Sequence, residues 1–322
     1  MEDSIKNFSE QLSYVPTIEN SNKLDKKNKF ILAGMGGSHL MTGLLKMMRP
    51  GIDLYVHRDY GLPPYDDAFL KDSLLIASSY SGNTEEIVDF LEEGYSKGYS
   101  MAVISTGGKL IDFAKENNLP YILMPDVGIQ PRTALGYSSI ALAYIIDLKD
   151  IVEEIKSLEG IINTTSDKEE AENIAKLLKG RIPVIYSSLQ NREIAYNWKI
   201  KMNETGKIPA FYNVFPELNH NEMQGFQLDD SEESFKSLFH VFILLDKSDY
   251  ERVQKRMSVL QGLYEEQGIP VTAITLSGAS SAEKFFKALF IADWIAINIA
   301  KNNGQDPEKV PFIEDFKKKL ID

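Results

Sequence analysis

Short apolar runs alternate with amphipathic segments along the first half of the chain. The segments between the runs carry apolar residues at helical spacing, as at Ile87, Phe90 and Leu91. Strands that alternate with helices pair in parallel, and each helix crosses over the sheet. This half therefore predicts a doubly wound α/β sheet that binds ligands at the carboxyl ends of its strands. The predicted strands are Phe30–Gly34, Asp53–His57, Ser73–Ser78, Met101–Ser105 and Tyr121–Met124.

The same alternation returns after a charged, helical stretch near Leu148–Lys179. It predicts a second α/β unit, and we divide the chain into domains at residues 1–150 and 151–322. The strands predicted for the second unit are Ile182–Tyr186, Ala210–Asn213, His240–Leu245 and Val271–Leu276.

The turn Ser78–Glu86 reads Ser-Ser-Tyr-Ser-Gly-Asn-Thr-Glu-Glu and joins a strand-like run to a helical one. Helix N-termini carry backbone N–H groups without intrahelical partners and a partial positive charge, which suit an anion. Ser79, Ser81 and Thr84 add uncharged donors. A single hydroxyl here is ordinarily a helix cap. Three of them around Gly82, directly behind a buried strand, favour a phosphate site.

A second turn of this kind, Gly34–Ser38, follows the first apolar run. Gly37 lets the backbone approach a ligand closely, and Ser38 offers a hydroxyl at a helix start. A dinucleotide fingerprint would have a glycine at His39, and Asp53 matches its ribose-binding acid poorly. The two turns therefore favour a phosphate ligand over NAD, and we expect no cofactor.

Composition narrows the class of protein. The 322 residues are 43% hydrophobic and 25% charged, which is typical of a globular chain with a large core. A net charge of −12 argues against nucleic acid as a partner, because phosphate backbones require a basic surface. The chain has no Cys, which excludes disulfides and thiolate chemistry and favours the cytoplasm. We expect neither a signal peptide nor a membrane span.

Glu204 lies at the end of a helix-like run that carries Ile194, Trp198 and Met202 on one face, and Gly206 is suited to end that helix. The carbonyl ends of a helix are partially negative, so they disfavour the carboxylate and raise its affinity for a proton. This indicates a general base. The ordinary alternative is a solvated carboxylate, and a nearby strand end in the second sheet argues against it.

His220 is one of four histidines and lies in the polar motif Asn219–Glu222, after Pro216. Its imidazole can exchange protons near neutral pH. No two histidines have the spacing of metal ligands, so the sequence predicts no metal site. The other three are interpreted as structural: His39, His57 and His240.

Two cations lie in helix-like runs. Arg132 follows Pro131 at the start of such a run, where the helix dipole opposes a cation, so we expect Arg132 to face an anion. Lys317 lies near the end of the last run, Phe312–Leu320. A cation is ordinary at a helix end, so the residues alone give Lys317 no role in a site.

Together these motifs resemble those of the bifunctional phosphoglucose/phosphomannose isomerase family, and the matches span nearly the whole chain. The Ser-x-Ser-Gly-Asn-Thr turn alone marks the wider sugar isomerase (SIS) superfamily, and the later Glu and His motifs are more specific. The resemblance rests on the Gly-Gly-Ser turn, Ser79–Thr84, Pro131–Tyr137, Asn203-Glu204 and Asn219–Glu222.

The resemblance implies two SIS subdomains, each a doubly wound parallel sheet flanked by helices, and a homodimer whose sites take a His from the neighbouring subunit. It implies a metal-independent isomerase of glucose-6-phosphate and fructose-6-phosphate. Glu204 would be the base, and Arg132 would lie beside the enediolate. His220 and Lys317 would act in ring opening. The sugar phosphate would be held by Gly37, Ser38, Ser79, Ser81 and Thr84.

Several alternatives stay open. A sugar-phosphate sensor without catalysis would keep the serine turns and lack the Glu, His and Lys set. An aminosugar-phosphate isomerase or synthase would need a source of ammonia, and a chain without Cys has no Cys-dependent glutaminase.

Glu308 stands where the family commonly has a Thr linked to the mannose epimer, so turnover of mannose-6-phosphate is open. The lysine of the site is Lys317 or its neighbour Lys318.

Overall fold

The computed structural model describes residues 1–227 and 236–321. Contacts divide the chain into two compact units. The N-terminal unit is Lys6–Ile162, and the C-terminal unit is Met1–Ile5 together with Asn163–Asp322. The bounds 1–150 and 151–322 for the two SIS subdomains stay a prediction.

The N-terminal unit contains a five-stranded parallel sheet in the order β2-β1-β3-β4-β5. All five predicted strands are confirmed. They are β1 (Lys29–Ala33), β2 (Leu54–His57), β3 (Ser73–Ser78), β4 (Met101–Ser105) and β5 (Tyr121–Leu123). The unit's helices are α2 (Ser9–Leu12), α3 (Met41–Met48), α4 (Asp67–Asp72), α5 (Glu85–Ser96), α6 (Gly108–Glu116), α7 (Leu135–Ile145) and α8 (Lys149–Lys156), and α1 (Glu2–Lys6) precedes them.

The central strands β1, β3 and β4 are buried along almost their whole length. A parallel sheet covered on both faces requires this, which is why these segments read as continuous apolar runs. Ile87 and Phe90 of α5 and Leu110 of α6 pack in one apolar cluster with Leu75 and Val103 of the sheet. Burial of each such side chain stabilises the fold by about 1.5–3 kcal/mol.

The C-terminal unit contains a four-stranded parallel sheet in the order β7-β6-β8-β9, which confirms the second predicted set of strands. The strands are β6 (Ile182–Ser188), β7 (Phe211–Phe215), β8 (Phe239–Leu245) and β9 (Val271–Thr275). The described helices are α9 (Lys168–Leu177), α10 (Arg192–Glu204), α11 (Glu251–Glu266), α12 (Ser281–Asn302) and α13 (Pro311–Ile321). None of the described helices of either unit is long and apolar enough to span a bilayer.

Each sheet contains a point where the chain changes its direction of travel. In the N-terminal sheet it passes from β1 to β2 on one side and returns to β3 on the other side of β1. In the C-terminal sheet it passes from β6 to β7 and returns to β8. Ligands of doubly wound sheets bind at the carboxyl ends of the strands beside such a point. A ligand is therefore expected at the turns after β1 and β3 or at those after β6 and β8.

Candidate active site

The two phosphate turns predicted from the sequence meet in the N-terminal unit. They follow β1 and β3, which are neighbours at the point where the chain reverses. Ser78 Oγ donates to the carbonyl of Ser38 at 2.9 Å, and the backbone N–H of Tyr80 donates to Ser38 Oγ at 2.9 Å. Because Ser38 Oγ accepts this bond, its own hydrogen can be donated to a ligand.

The second turn presents further donors. Ser79 Oγ and Thr84 Oγ1 lie 2.8 Å apart and share one hydrogen bond. This bond uses the hydrogen of one hydroxyl, and the hydrogen of the other can be donated to a ligand. Ser81 is exposed, and its Oγ accepts from the N–H of Asn83 at 3.3 Å. Thr84 is the N-cap of α5, yet its side chain makes no capping hydrogen bond. The first N–H groups of α5 are therefore available to an anion.

Gly82 fixes the shape of this turn. Its φ is +70°, and a Cβ built on it would lie 1.7 Å from the carbonyl oxygen of Gly107, in the turn after β4. The backbone N–H of Leu110 donates to the carbonyl of Gly82 at 3.1 Å. The turns after β3 and β4 thus interlock by backbone contact that only glycine permits.

Gly82→Ala should therefore lower the free energy of unfolding by more than about 3 kcal/mol, the sum of a left-handed φ for alanine and a forced shift of the turn. Gly98→Ala is the matched control, because Gly98 has φ +73° and nothing within 4 Å of its Cβ position. It should cost about 1–2 kcal/mol. Thermal unfolding followed by circular dichroism measures both, and equal losses would contradict the interlocking.

Arg132 lies beside the first turn. It sits in a single 3-10 turn, Pro131–Thr133, just before α7, and is 2% exposed. A Cβ at Gly37 would lie 2.8 Å from the backbone N of Arg132, so glycine is required for this approach. Arg132 Nη1 donates to Gln130 Oε1 at 3.2 Å. A buried guanidinium therefore accompanies the hydroxyl donors in the N-terminal unit.

The corresponding edge of the C-terminal sheet is different. Asp246 and Asp249 follow β8, and Asn191 Nδ2 donates to Asp246 Oδ2 at 3.0 Å. Burial acts to raise the pKa of Asp246, but hydrogen bonds from Lys284 and Ser248 hold that pKa below its usual value. This edge is occupied by the protein's own carboxylate, which would repel a phosphate. The N-terminal turns are the better phosphate site.

Glu204 is the last residue of α10, as the sequence predicts, and is half-buried. The backbone N–H groups of Thr205 and Gly206 both donate to the carbonyl of Lys201 and close the helix. The left-handed residue that turns the chain is Lys207, one position after the predicted glycine, and its Nζ donates to the backbone carbonyl of Glu204. An ammonium therefore offsets part of the negative helix end.

A buried ion pair that the sequence pattern did not predict lies one turn before Glu204. Lys201 Nζ donates to both carboxylate oxygens of Asp293 on α12, at 2.7 and 2.8 Å. The two side chains are only 2% and 5% exposed. The one signal in the sequence is an acid inside the apolar run that forms α12.

His220 is the last residue of a 3-10 turn, Glu217–His220, and its side chain is exposed. It follows the carboxyl end of β7, whereas Glu204 precedes the amino end of the same strand. A strand of five residues spans about 16 Å. The C-terminal unit therefore does not bring Glu204 and His220 together. His39, His57 and His240 are buried.

Lys317 lies on α13, where every side chain from Pro311 to Leu320 is exposed. Its neighbour Lys318 lies 3.7 Å from Asp315 Oδ1. Among the described residues of the C-terminal unit, those around these two lysines do not form a pocket. No group of three His, Asp or Glu side chains suited to a metal ion occurs among residues 1–227 and 236–321.

Comparison with known proteins places these features in a family. A family model described as the bacterial phospho-glucose isomerase C-terminal SIS domain matches residues 167–320. The bifunctional phosphoglucose/phosphomannose isomerase of Caldicellulosiruptor bescii is 33% identical over 100% of this chain and 99% of its own. The chain belongs to the bifunctional phosphoglucose/phosphomannose isomerase family. The enzyme of the same name from Thermoplasma acidophilum is 32% identical over 97% of both chains.

A solved structure gives the same fold. A hypothetical protein from Thermus thermophilus superimposes with a TM-score of 0.73 at 14% identity, over 98% of this chain and 89% of its own. Membership of the family makes this protein an isomerase, which confirms the expected class of enzyme and the predicted pair of SIS folds. The sensor without catalysis, one of the open alternatives, is thereby set aside.

Proposed function

We propose that this protein interconverts glucose-6-phosphate and fructose-6-phosphate through a cis-enediolate, without a metal ion and with Glu204 as the base. The observation that carries the proposal is the pair of hydroxyl-rich turns at the reversal point of the N-terminal sheet. They present neutral donors and helix N–H groups to a dianion. The names of relatives at 31–33% identity support a hexose phosphate as the substrate.

In the proposed reaction, the Glu204 carboxylate removes the proton from C2 of the open-chain aldose and the carboxylic acid returns a proton to C1. The C2 hydroxyl loses its proton and the C1 oxygen gains one, so the aldose becomes a ketose without an oxidant or reductant. A base of this kind contributes about 10²–10⁴-fold to a rate. The half-buried carboxylate at a helix end supports this role.

Arg132 would stabilise the enediolate. Negative charge grows on the substrate oxygens in that intermediate, and a fixed cation in a dry site favours it over the ground state. The guanidinium is 2% exposed and its turn packs on Gly37, which supports the assignment. Gly37, Ser38, Ser79, Ser81 and Thr84 would hold the phosphate and keep the carbon chain in register.

His220 and Lys317 would assist ring opening, His220 from the second copy of a homodimer. Glu204 and His220 lie at opposite ends of β7, which supports a site that takes these two residues from different copies of the chain. Exposure of His220 and of all of α13 up to Leu320 agrees with side chains that complete a site elsewhere.

The basic test is a coupled assay of the purified protein with glucose-6-phosphate in the presence of a chelator. Formation of fructose-6-phosphate is expected, and loss of turnover on chelation would contradict metal independence. Mannose-6-phosphate is assayed in parallel, because Glu308 replaces the Thr that the family pattern connects with that epimer. Turnover of glucosamine-6-phosphate in place of either hexose phosphate would favour the aminosugar alternative.

Mixing two inactive variants tests the shared site. Glu204→Gln and His220→Ala are each expected to be inactive as homodimers. After subunit exchange at equal amounts, half of the dimers are hybrids, and each hybrid has one site with both intact residues. About 25% of wild-type activity should therefore return. Recovery of no activity, with hybrids verified by mass spectrometry, would contradict a His donated by the partner.

A further inference from the structure

The carboxylate of Glu222 is held at both of its oxygens. The Tyr186 hydroxyl donates to Oε1 at 2.6 Å, and Asn213 Nδ2 donates to Oε2 at 2.5 Å. Tyr186 on β6 and Asn213 on β7 are direct partners in the sheet register. The Glu222 side chain therefore bridges two neighbouring strands and ties the segment after β7 to the sheet.

The two partners of Glu222 favour a carboxylate at this position. Tyr186 is fully buried, and burial raises the pKa of its phenol, so it keeps its proton and remains a donor. Asn213 also donates. An ionised carboxylate accepts at both oxygens, whereas an amide at position 222 keeps only one acceptor atom. Its NH₂ group would have to face Asn213 Nδ2, which cannot accept, or the Tyr186 hydroxyl, which would then lose its charged acceptor. Gln therefore holds the segment to the sheet more weakly than Glu despite its similar shape.

The segment that Glu222 ties down carries His220. Leu218, two residues before His220, is fully buried, and Glu222 is two residues after it. Asn221 strengthens the link: its Oδ1 accepts from the N–H of Glu222 at 2.6 Å and its Nδ2 donates to Glu217 Oε1 at 2.8 Å. His220 itself is exposed. An exposed imidazole is thus presented by a backbone fixed on both sides.

We infer that Glu222 is a positioning residue for His220: it holds the 3-10 segment to β6 and β7 so that the imidazole projects in one direction. The inference rests on the proposed function, in which His220 acts in ring opening. A catalytic group displaced by about 1 Å can lose about 10²-fold in rate. The role of Glu222 should therefore be visible in ring opening and not in proton transfer between C2 and C1.

The test compares Glu222→Gln with Glu217→Gln, the same substitution at an exposed carboxylate of the same segment. The amide oxygen of Gln at position 217 can still accept from Asn221 Nδ2, so this control keeps the other contacts of the segment. With glucose-6-phosphate, Glu222→Gln should lower kcat by 10- to 100-fold, and Glu217→Gln should change it by less than twofold. The second substrate is 5-deoxyfructose-6-phosphate, which has no C5 hydroxyl to close a ring. Deuterium uptake from solvent into its C1 position should stay within twofold of wild type in both variants.

Two kinetic outcomes would overturn the inference. One is wild-type kcat for Glu222→Gln with glucose-6-phosphate. The other is an equal loss with the ring-forming and the open-chain substrate, which would indicate a general structural defect. If the wild-type protein turns over neither substrate, the proposed function fails and hydrogen exchange decides the positioning role. Faster exchange over residues 216–226 in Glu222→Gln, and not in Glu217→Gln, supports it, and equal exchange overturns it.

Discussion

Replacement of Glu204 by Gln should lower kcat for glucose-6-phosphate isomerisation by about 10³-fold or more, while the affinity for the sugar phosphate stays within about threefold. The amide keeps the size of the side chain and cannot accept the C2 proton. Phosphate binding should persist, because the donors of the two turns lie in the N-terminal unit and Glu204 lies in the C-terminal unit. Steady-state kinetics and calorimetric titration with fructose-6-phosphate measure the two quantities.

Glu193→Gln is the matched control for this experiment. Glu193 lies in the first turn of the same helix, α10, and pairs with Arg192. Its replacement should leave kcat within about twofold of wild type. Solvent deuterium uptake at C2 of glucose-6-phosphate gives an independent readout, and Glu204→Gln should abolish it. A Glu204→Gln enzyme that retains a tenth of its turnover would show that another group removes the proton.

The strands and the positions of the two hydroxyl-rich turns were predictable because their causes are local. Strands buried on both faces are continuous apolar runs, and a turn at a helix N-terminus carries its own glycine and hydroxyl residues. The topology then places the carboxyl ends of β1 and β3 side by side, so two motifs that are separate in the sequence become neighbours. The local sequence pattern, together with the rule that alternating strands and helices form a parallel sheet, was sufficient to predict these features.

The positions of the candidate residues in the C-terminal unit depend on contacts that no local pattern encodes. The bond from Tyr186 to Glu222 joins residues 36 apart, and the Lys201–Asp293 pair joins residues 92 apart. The sequence places Glu204 near a strand end of the second sheet. Only the fold identifies this as the amino end of β7, opposite to the end that carries His220. That distinction supports the proposal that a second subunit contributes to the site.

The Lys201–Asp293 pair links the last turn of α10 to α12. Lys201 precedes Glu204 by three residues and accepts at its carbonyl the two bonds that close the helix. Its ammonium is fixed to α12, which is buried along most of its length. A buried pair of charges adds little stability relative to apolar residues, but removal of one partner leaves an uncompensated charge in the core.

Lys201→Met should therefore lower the free energy of unfolding of the C-terminal unit by about 3–5 kcal/mol. Trp198 and Trp294, the chain's two tryptophans, are buried in this unit, so their fluorescence during urea unfolding reports on it. Lys176→Met, which breaks the exposed pair with Glu172, should cost less than about 1 kcal/mol.

A double variant, Lys201→Met with Asp293→Leu, separates the loss of a partner from the loss of side-chain volume. Both charges are removed together, so no ion is left unpaired in the core, and stability should return to within about 1 kcal/mol of wild type. If the double variant instead loses as much stability as Lys201→Met and Asp293→Leu lose together, then packing, and not charge, explains the effect of Lys201→Met. In that case the end of α10 would owe its position to the apolar contacts of α12 alone.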